Sequence, residues 1–310
     1  MVDPLAQVAT LLQPSALYSK IATGSGPWSA RRSKVSDPLY LAIVEGGCCL
    51  SLASVGTRIL TAGDVVLIPS PDEFVLSSLE SAGPEDAVPA PKVLPNGELR
   101  VGRLTGDYEV KILLGYCVFR AADAEFLIKL LPRFLHIRGQ ERLTTLVRLI
   151  VEESHADRAA RELVLNRLLE VLFIEALRSV KGETASPGLS RGLADARIST
   201  ALKLLHEAPE YVWTVPELAR RTNLSRSAFF DAFRQAIGLP PMEYLLNWRM
   251  ALAKGMLLRN EHSVGVIAES VGYRSASSFS VAFRREVGIP PSQYVAGIRS
   301  LQPGPLNSDV

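Results

Sequence analysis

The sequence predicts an α+β protein, in which an N-terminal antiparallel β-barrel or sandwich is followed by helices and then by an all-α C-terminal domain. Three observations point to this fold class. Short β-branched runs between residues 38 and 119 are interrupted by glycine turns roughly every eight to twelve residues, as in antiparallel barrels and sandwiches. After Arg120 the apolar residues recur at helical spacing. From Asp195 onward, one helical segment occurs twice.

Composition and charge exclude several classes of protein. Apolar residues make up 47% of the 310 residues and charged residues 21%, which is the balance of a soluble globular protein of about two domains. No stretch approaches the roughly 20 consecutive apolar residues of a membrane helix, and residues 1–5 lack the features of a secretory signal. Cys48, Cys49 and Cys117 are too few for a disulfide framework. We therefore expect a cytoplasmic protein that does not associate with membranes.

Six strands are predicted in the β region. Glycine turns at residues 45–47 and 54–56 separate the first three, and Pro69 ends the fourth. Residues 81–98 are rich in proline and glycine and are predicted to form a long loop. The predicted strands are 39–44, 48–53, 57–60, 65–68, 99–104 and 109–119.

Five aromatic residues of the β region are candidates for a small-molecule pocket, because ligand sites are mostly apolar with a few polar groups. Packing in the core of the barrel is the alternative for each of them, and the sequence leaves both interpretations open. The candidates are Tyr40, Phe74, Tyr108, Tyr116 and Phe119.

The cysteines are interpreted as structural thiols. Cys48 and Cys49 are adjacent in a predicted strand, so their side chains point to opposite faces. Redox or electrophile sensing is the alternative, but it would require a lowered thiol pKa and an accessible partner. The sequence shows neither.

Helices are predicted at residues 122–131, 141–154 and 157–181. The third has a wide apolar face, which we expect to mediate self-association into a homodimer, with packing onto the barrel as the alternative. Residues 182–194 are small, polar and broken by proline and glycine, so they are predicted to form an interdomain linker. The apolar face consists of Leu165, Leu168, Leu169, Leu172, Phe173, Ala176 and Leu177.

The C-terminal repeat consists of two copies of a helical module. Each copy has a short helix, a tight turn and a second helix that begins after a serine, Ser225 in the first module and Ser275 in the second. Serine is a favoured N-cap because its hydroxyl accepts an otherwise unpaired backbone N–H. This arrangement is the helix-turn-helix. Matching residues 50 positions apart are Phe229 and Phe279, Phe233 and Phe283, Gly238 and Gly288, and Tyr244 and Tyr294.

The duplicated second helices are predicted to bind double-stranded DNA through the major groove. A helix predicted at residues 241–258 would span roughly 27 Å and could hold the two about one DNA turn apart. A helical bundle in which the repeat serves only packing is the alternative. The candidate DNA-binding residues are Ser225, Arg226, Ser227, Phe230, Asp231, Arg234, Arg274, Ser275, Ala276, Ser277, Ser280, Val281 and Arg284.

The two modules are expected to divide the work of recognition. Arg226 in the first can bond two acceptors on guanine and so discriminate bases, whereas the second offers mainly small groups flanked by arginines. We expect base discrimination chiefly from the first module and affinity chiefly from the second. Pairing of Arg284 with Glu286 or Glu269 would remove that residue from the interface.

These motifs carry a family resemblance. Trp213-Thr-Val-Pro-Glu-Leu-Ala and Leu224-Ser-Arg-Ser-Ala-Phe, followed by Ile267-Ala-Glu-Ser-Val-Gly-Tyr-Arg-Ser-Ala-Ser-Ser-Phe and Gly288-Ile-Pro-Pro-Ser-Gln-Tyr, resemble the DNA-binding domain of AraC/XylS-type transcriptional regulators. The likeness covers nearly all of residues 195–298. In the N-terminal part, Ala62-Gly-Asp-Val-Val-Leu-Ile-Pro is similar to the cupin-like sensor domain of one branch of that family.

The resemblance implies both a domain plan and a function. It implies a cupin-like antiparallel β-barrel that senses an effector at residues 1–120, a helical dimerisation or packing segment at 121–181, the DNA-binding domain at 195–300 and a flexible tail at 301–310. The implied function is sequence-specific regulation of transcription, with promoter DNA, a small-molecule effector and RNA polymerase as partners. An N-terminal domain that only dimerises and binds no ligand is the alternative.

Catalysis and metal binding are not expected. Cupin enzymes hold a metal with closely spaced histidines and a glutamate, and His136, His155, His206 and His262 all lie outside residues 38–119. The sequence therefore predicts no metal site, cofactor or catalytic residue. A cupin enzyme with a helical appendage is the alternative that this observation disfavours.

Overall fold

The computed structural model describes residues 2–32, 37–71, 73–80, 91–119, 121–156, 158–179, 187–260 and 262–301. The chain forms two compact units. The first, here called the barrel unit, comprises Gln13–Arg120 and Leu131–Ser186. The second, the helical unit, comprises Met1–Leu12, Ala121–Leu130 and Pro187–Val310. Within the described residues, none of the helices combines the length and apolar character that crossing a bilayer requires.

The barrel unit contains two sheets. One has seven strands in the order β11-β6-β3-β10-β1-β9-β8, and the other has four in the order β2-β7-β4-β5. All neighbouring pairs are antiparallel except β1 and β9. The strands are β1 (Pro14–Ser25), β2 (Ser29–Arg32), β3 (Leu39–Glu45), β4 (Gly47–Leu52), β5 (Gly56–Thr61), β6 (Val65–Ile68), β7 (Phe74–Ser77), β8 (Lys92–Val93), β9 (Leu99–Gly102), β10 (Val110–Phe119) and β11 (Leu135–Ile137).

The predicted strands correspond to β3, β4, β5, β6, β9 and β10, and the α+β fold class is confirmed. Five strands were not predicted: β1, β2, β7, β8 and β11. The largest omission is β1, which pairs with β10 from Pro14 opposite Phe119 to Gly24 opposite Val110. Its Ser, Lys, Thr and Gly residues hide the apolar pattern of a strand. In the predicted loop 81–98, residues 81–90 lie outside the described residues, and β8 occupies part of the rest.

Helices α3 (Glu141–His155) and α4 (Arg161–Arg178) pack on each other and on β1. The predicted apolar face of α4 is covered within the chain, so it is not available for self-association as expected. Packing onto the sheet, the alternative, is what the structure shows. Six of its seven residues are buried, namely Leu165, Leu169, Leu172, Phe173, Ala176 and Leu177.

The helical unit contains both modules and the helix that joins them. The first module is α7 and α8, the second is α10 and α11, and α9 connects them. The helices of this unit are α1 (Pro4–Leu12), α2 (Ala124–Lys129), α5 (Leu189–Ala194), α6 (Ala196–Glu207), α7 (Val215–Arg221), α8 (Arg226–Ile237), α9 (Pro241–Arg259), α10 (Val264–Ser270), α11 (Ala276–Val287) and α12 (Pro291–Leu301).

The boundaries of the two units differ from the linear plan of residues 1–120 and 121–181. Both α1 and α2 belong to the helical unit. Asp123, just before α2, forms an ion pair with Lys254 at 2.9 Å, and the ring of Phe126 meets Tyr244 edge to face. These contacts join residues more than 100 positions apart, which no local pattern in the sequence reveals.

The predicted linker contains a packed helix. Residues 182–186 lie outside the described residues, as do residues 302–310 of the predicted tail. In the remainder, α5 buries Leu189, and the backbone N–H of Gly188 donates to the carbonyl oxygen of Ala236. Residues 189–194 of the predicted linker therefore form a helix that packs through Leu189.

Candidate functional site

The two modules share one aromatic framework. Rings of Phe229 and Phe233 lie 5.7 Å apart, and those of Phe279 and Phe283 lie 5.5 Å apart. In each module a tyrosine meets the second phenylalanine edge to face, Tyr244 at 5.7 Å and Tyr294 at 5.5 Å. All four phenylalanines are fully buried. The duplication predicted from sequence is therefore confirmed in the packing.

The ends of the second helices are also built alike. The hydroxyl of Ser225 accepts the backbone N–H of Ala228, and that of Ser275 accepts the N–H of Ser278, both at 3.2 Å. These bonds satisfy N–H groups that the first turn of a helix leaves unpaired. The N-terminal turns of α8 and α11 are thus held in place with their outer faces in solvent.

The first module presents a charged surface. Arg226, Ser227, Asp231 and Arg234 are exposed on α8, whereas Phe230 is half-buried. No ion pair between described residues involves either arginine. Their guanidinium groups are therefore available to bond acceptors on DNA.

The second module presents a smaller and more apolar surface. Arg274, Ala276, Ser277 and Arg284 are exposed, and 73% of Val281 is accessible. The half-buried hydroxyl of Ser280 donates to the carbonyl oxygen of Ala276 at 2.7 Å, so it can only accept from a partner.

The arginine pairing considered for the second module involves a different residue. Arg285, and not Arg284, bonds Glu286 at 2.7 Å. Arg284 therefore stays among the candidate DNA-binding residues. That any of these side chains contacts DNA stays a prediction.

One acidic side chain of the first module is paired with arginines of its own helix. Glu217 of α7 accepts bonds from Arg220 and Arg221 at 2.8 and 2.9 Å. These two bonds lower the pKa of Glu217 to about 2. This carboxylate is therefore already paired with cations of α7.

His206 of α6 lies in a buried cluster that supports the first module. Its ring stacks on Trp248 with centroids 3.8 Å apart, and its nitrogens bond the hydroxyl of Tyr244 at 2.7 Å and Oε1 of Gln7 at 2.8 Å. Burial lowers the pKa of His206 to about 3. The sequence analysis did not identify this cluster, because its members come from α1, α6 and α9.

The barrel unit contains a cavity of about 410 Å³. Its walls include Trp28, Phe74, Leu76 and Leu114, and Arg32 also lines it. Both the volume and the mostly apolar lining are those of a small-molecule site. Trp28, which follows the unpredicted β1, was missed by the sequence analysis.

The five aromatic pocket candidates do not share one pocket. Phe74 and Tyr116 pack in the core between the two sheets, and Phe74 lines the cavity. Tyr40 and Phe119 lie on the opposite face of the seven-stranded sheet with residues of α4, such as Phe173. Tyr108 is exposed and donates to Glu45. Strand alternation sends Tyr116 and Phe119 to opposite faces of the seven-stranded sheet. That any of the five side chains contacts an effector stays a prediction.

The environments of the cysteines favour structural thiols. Cys48 and Cys117 are buried, and burial raises the pKa of each to about 12. A protonated thiol is a poor nucleophile. Cys49 is half-buried in the same strand as Cys48.

The histidines of the barrel unit take part in local pairs. His136, in the unpredicted β11, bonds the buried Asp64 at 3.0 Å, and His155 bonds Glu98 at 3.0 Å. Across the described ranges, no three His, Cys, Asp or Glu side chains are grouped as metal ligands.

Comparison with known proteins matches both halves of the chain. Residues 3–181 match the Cupin family, and residues 218–297 match the helix-turn-helix domain family. An AraC-like transcription regulator of Streptomyces lividans is 32% identical over 283 residues, which cover 89% of this chain and 92% of the relative. An HTH-type transcriptional regulator of Haemophilus influenzae is 30% identical over 81% of this chain and 84% of its own length.

Among solved structures, the DNA-binding domain of AdpA in complex with a target DNA is 30% identical. The match covers 35% of this chain and 97% of that domain, with a TM-score of 0.33. The sequence matches extend over both the barrel and the duplicated modules. The chain belongs to the family of AraC-like, DNA-binding transcription regulators with a cupin-like N-terminal domain.

Proposed function

We propose that the protein regulates transcription by placing α8 and α11 in two adjacent major-groove segments of promoter DNA. The observation that carries this proposal is the duplicated framework, which gives both helices the same capped, solvent-facing start. The connecting helix α9 has 19 residues and is long enough to hold the two about one DNA turn apart.

Footprinting of the full chain on a selected site tests this proposal. We expect two protected segments on one face of the DNA, about 10 base pairs apart from centre to centre. The full chain is used because α1 and α2 are part of the helical unit. A single protected segment would contradict two-module recognition.

We infer that the barrel cavity binds the effector and that the ligand is largely apolar. Trp28, Phe74 and Leu114 supply apolar walls, and Arg32 supplies a cation. Arg31 also lines the cavity but is paired with Glu73 at 2.9 Å. A cavity of this kind favours a small apolar molecule, and an acidic group on it would find Arg32.

Thermal-shift screening of the full chain tests the sensor role, because a ligand that binds only the folded state raises the melting temperature. Leu114→Trp, which fills the cavity, should abolish the shift caused by a hit. Leu79→Trp is the matched control, because Leu79 is 54% exposed and lies outside this cavity. A shift that survives in Leu114→Trp would place the ligand elsewhere.

We propose that the protein is a homodimer and that the outer face of α4 forms the contact. Leu163, Val164 and Val171 on this face are 59%, 39% and 42% exposed, and exposed apolar side chains that lie together favour association. Sedimentation should show a dimer that Val171→Glu converts to a monomer, whereas Lys92→Glu, at an exposed position of β8, should not. Val171→Glu that leaves the dimer intact would exclude this face.

The role of a transcription regulator also bears on catalysis, on location in the cell and on contact with RNA polymerase. Its curated relatives are transcription regulators, which supports action by binding and not by catalysis. A regulator of promoters works where the chromosome is, so we place the protein in the cytoplasm. Contact with RNA polymerase stays a prediction, and a pull-down of polymerase on promoter DNA would test it.

A further inference from the structure

Arg249 of the connecting helix holds the loop that leads into the first module. Its Nε donates to the carbonyl oxygen of Pro209 at 2.7 Å, and its Nη2 donates to the carbonyl oxygen of Tyr211 at 2.8 Å. This loop ends at Thr214, the N-cap of α7. One guanidinium on α9 therefore fixes the entry to the first module.

The turn of the second module lies against the same guanidinium. A Cβ placed on Gly272 would come within 2.7 Å of Nη2 of Arg249 and 2.8 Å of the carbonyl oxygen of Glu210. The backbone at Gly272 therefore lies close to both the guanidinium of Arg249 and the loop that leads into the first module. The next residue, Tyr273, packs its ring on Phe279 at 5.5 Å, which ties the turn to the core of the second module.

The hydrophobic core of each module packs against a different part of α9. Tyr244 and Trp248 of α9 belong to the aromatic cluster of the first module, whereas Met250 and Leu257 belong to the core of the second. Arg249 lies between these two sets in the sequence and touches a loop from one side and a turn from the other. It is thus placed to set how the modules are oriented relative to each other.

We propose that Arg249 is a positioning residue that fixes the separation and orientation of α8 and α11, so that the protein selects DNA sites by the spacing of their two halves. This inference rests on the proposed two-segment recognition. A stiff link makes binding of the second half intramolecular and most favourable at one spacing. Arginine suits the role because its planar fork bonds two carbonyl groups at once, which an ammonium on a flexible stem does less well.

The test measures the affinity of the full chain for three DNAs: a selected bipartite site, that site with one base pair inserted between the halves, and that site with one half scrambled. For the wild-type protein, insertion should weaken binding roughly tenfold or more. Arg249→Met removes the donors and keeps most of the side-chain volume. It should weaken binding to the intact site roughly tenfold, reduce the insertion penalty to about twofold, and leave binding to the scrambled site unchanged. Arg249→Lys should behave in the same way.

A pair of glycines supplies a matched control that leaves Arg249 in place. Gly272 and Gly288 have φ values of +84° and +88°, so alanine meets the same backbone strain at either position. In the part of the chain that the structure describes, nothing lies within 4 Å of a Cβ at Gly288, whereas one at Gly272 meets Arg249. Gly272→Ala should therefore reduce the insertion penalty, and Gly288→Ala should leave it unchanged, with circular dichroism showing that both variants are folded.

The possible results distinguish failure of the proposed role of Arg249 from failure of two-segment recognition. Unchanged binding of Arg249→Met to the intact site would overturn the proposal. So would an equal loss on the intact and scrambled sites with the insertion penalty preserved, because Arg249 would then act only on stability. Equal binding of the wild-type protein to the intact and scrambled sites would instead refute two-segment recognition. Tolerance of the insertion together with a large loss on the scrambled site would refute only the stiff link attributed to Arg249.

Discussion

The two helix-turn-helix modules share their serine caps, their buried phenylalanines and one exposed arginine, and they differ at other positions on the outer faces of the second helices. Ser225 and Ser275, Phe229 and Phe279, and Arg234 and Arg284 are matching residues 50 positions apart. Three matching positions on the outer faces differ: Arg226 against Ala276, Phe230 against Ser280, and Asp231 against Val281. Packing constrains the buried phenylalanines, whereas Arg226, Asp231 and Val281 are exposed. Differences in DNA recognition should therefore arise from these three pairs.

The modules also differ in what supports them. The first rests on a polar aromatic cluster, in which His206 stacks on Trp248 and bonds Tyr244 and Gln7. The second rests on aliphatic side chains such as Leu257 and Val271. Buried polar groups need all of their partners, whereas aliphatic packing is indifferent to pH. The two copies should therefore respond differently to the same conditions.

The largest effect is expected from the shared framework. Phe229→Ala and Phe279→Ala each remove a fully buried ring, so each should lower the free energy of unfolding by about 3–5 kcal/mol. Urea denaturation of the full chain measures both. Phe230→Ala is the control, because removal of this half-buried ring should lower the free energy of unfolding much less. A small loss at either framework position would show that the two cores are not equivalent.

The next effect concerns the exposed arginines. Arg226→Ala should cost about 1–3 kcal/mol on sites with the preferred base and relax the preference at one base pair. Arg284→Ala should weaken binding to all sequences alike and reduce the salt slope by about one charge. Selection from randomised sites with both variants measures this. A preference lost in Arg284→Ala and kept in Arg226→Ala would reverse the roles of the modules.

A third comparison uses pH. His206 has a pKa of about 3 in the folded chain against an ordinary value of 6.5, so the unfolded chain binds the extra proton between these values. Its contribution to stability is complete above pH 6.5 and is lost as the pH falls toward 3. Between pH 6.5 and 5 the free energy of unfolding should drop by about 1–2 kcal/mol.

Thermal or urea unfolding across this pH range measures that drop. His206→Gln should remove the part of the slope that this residue causes. His262→Gln is the matched control, because His262 is exposed just before the second module and should leave the slope unchanged. An identical slope in wild type and His206→Gln would show that the cluster does not resist protonation.

The smallest effect is expected at Val281. With 73% of this valine exposed, an apolar contact with a thymine methyl group is the favourable use of its side chain on DNA. Val281→Ala should weaken binding by less than about 1 kcal/mol, and replacing that thymine by deoxyuridine should have no further effect in the variant. Val266→Ala, on α10, is the control. Equal losses from deoxyuridine in both proteins would mean that another group reads the methyl.

The sequence predicted the helical modules far better than the barrel. The helix predicted from residue 241 is α9, and the serines predicted to start the second helices, Ser225 and Ser275, are the N-caps of α8 and α11. Serine caps, prolines and glycines mark helix ends locally. In the barrel, β3 and β6, which are apolar runs next to glycine or proline turns, were found, whereas β1 and β2 were not. β1 and β2 carry polar residues such as Lys20 and Arg31, and only their pairing partners make them strands.

The sequence by itself determined the fold class, the duplication and the residues that the second helices expose. All of these depend on signals within one or two helical turns, or on identities repeated at a fixed offset. Only the tertiary structure decided that α1 and α2 join the helical unit, that His206 is buried, that Trp28 lines the cavity and that the leucine face of α4 is covered. Each of these depends on contacts between distant segments, and the chain leaves such contacts unspecified until the fold brings the segments together.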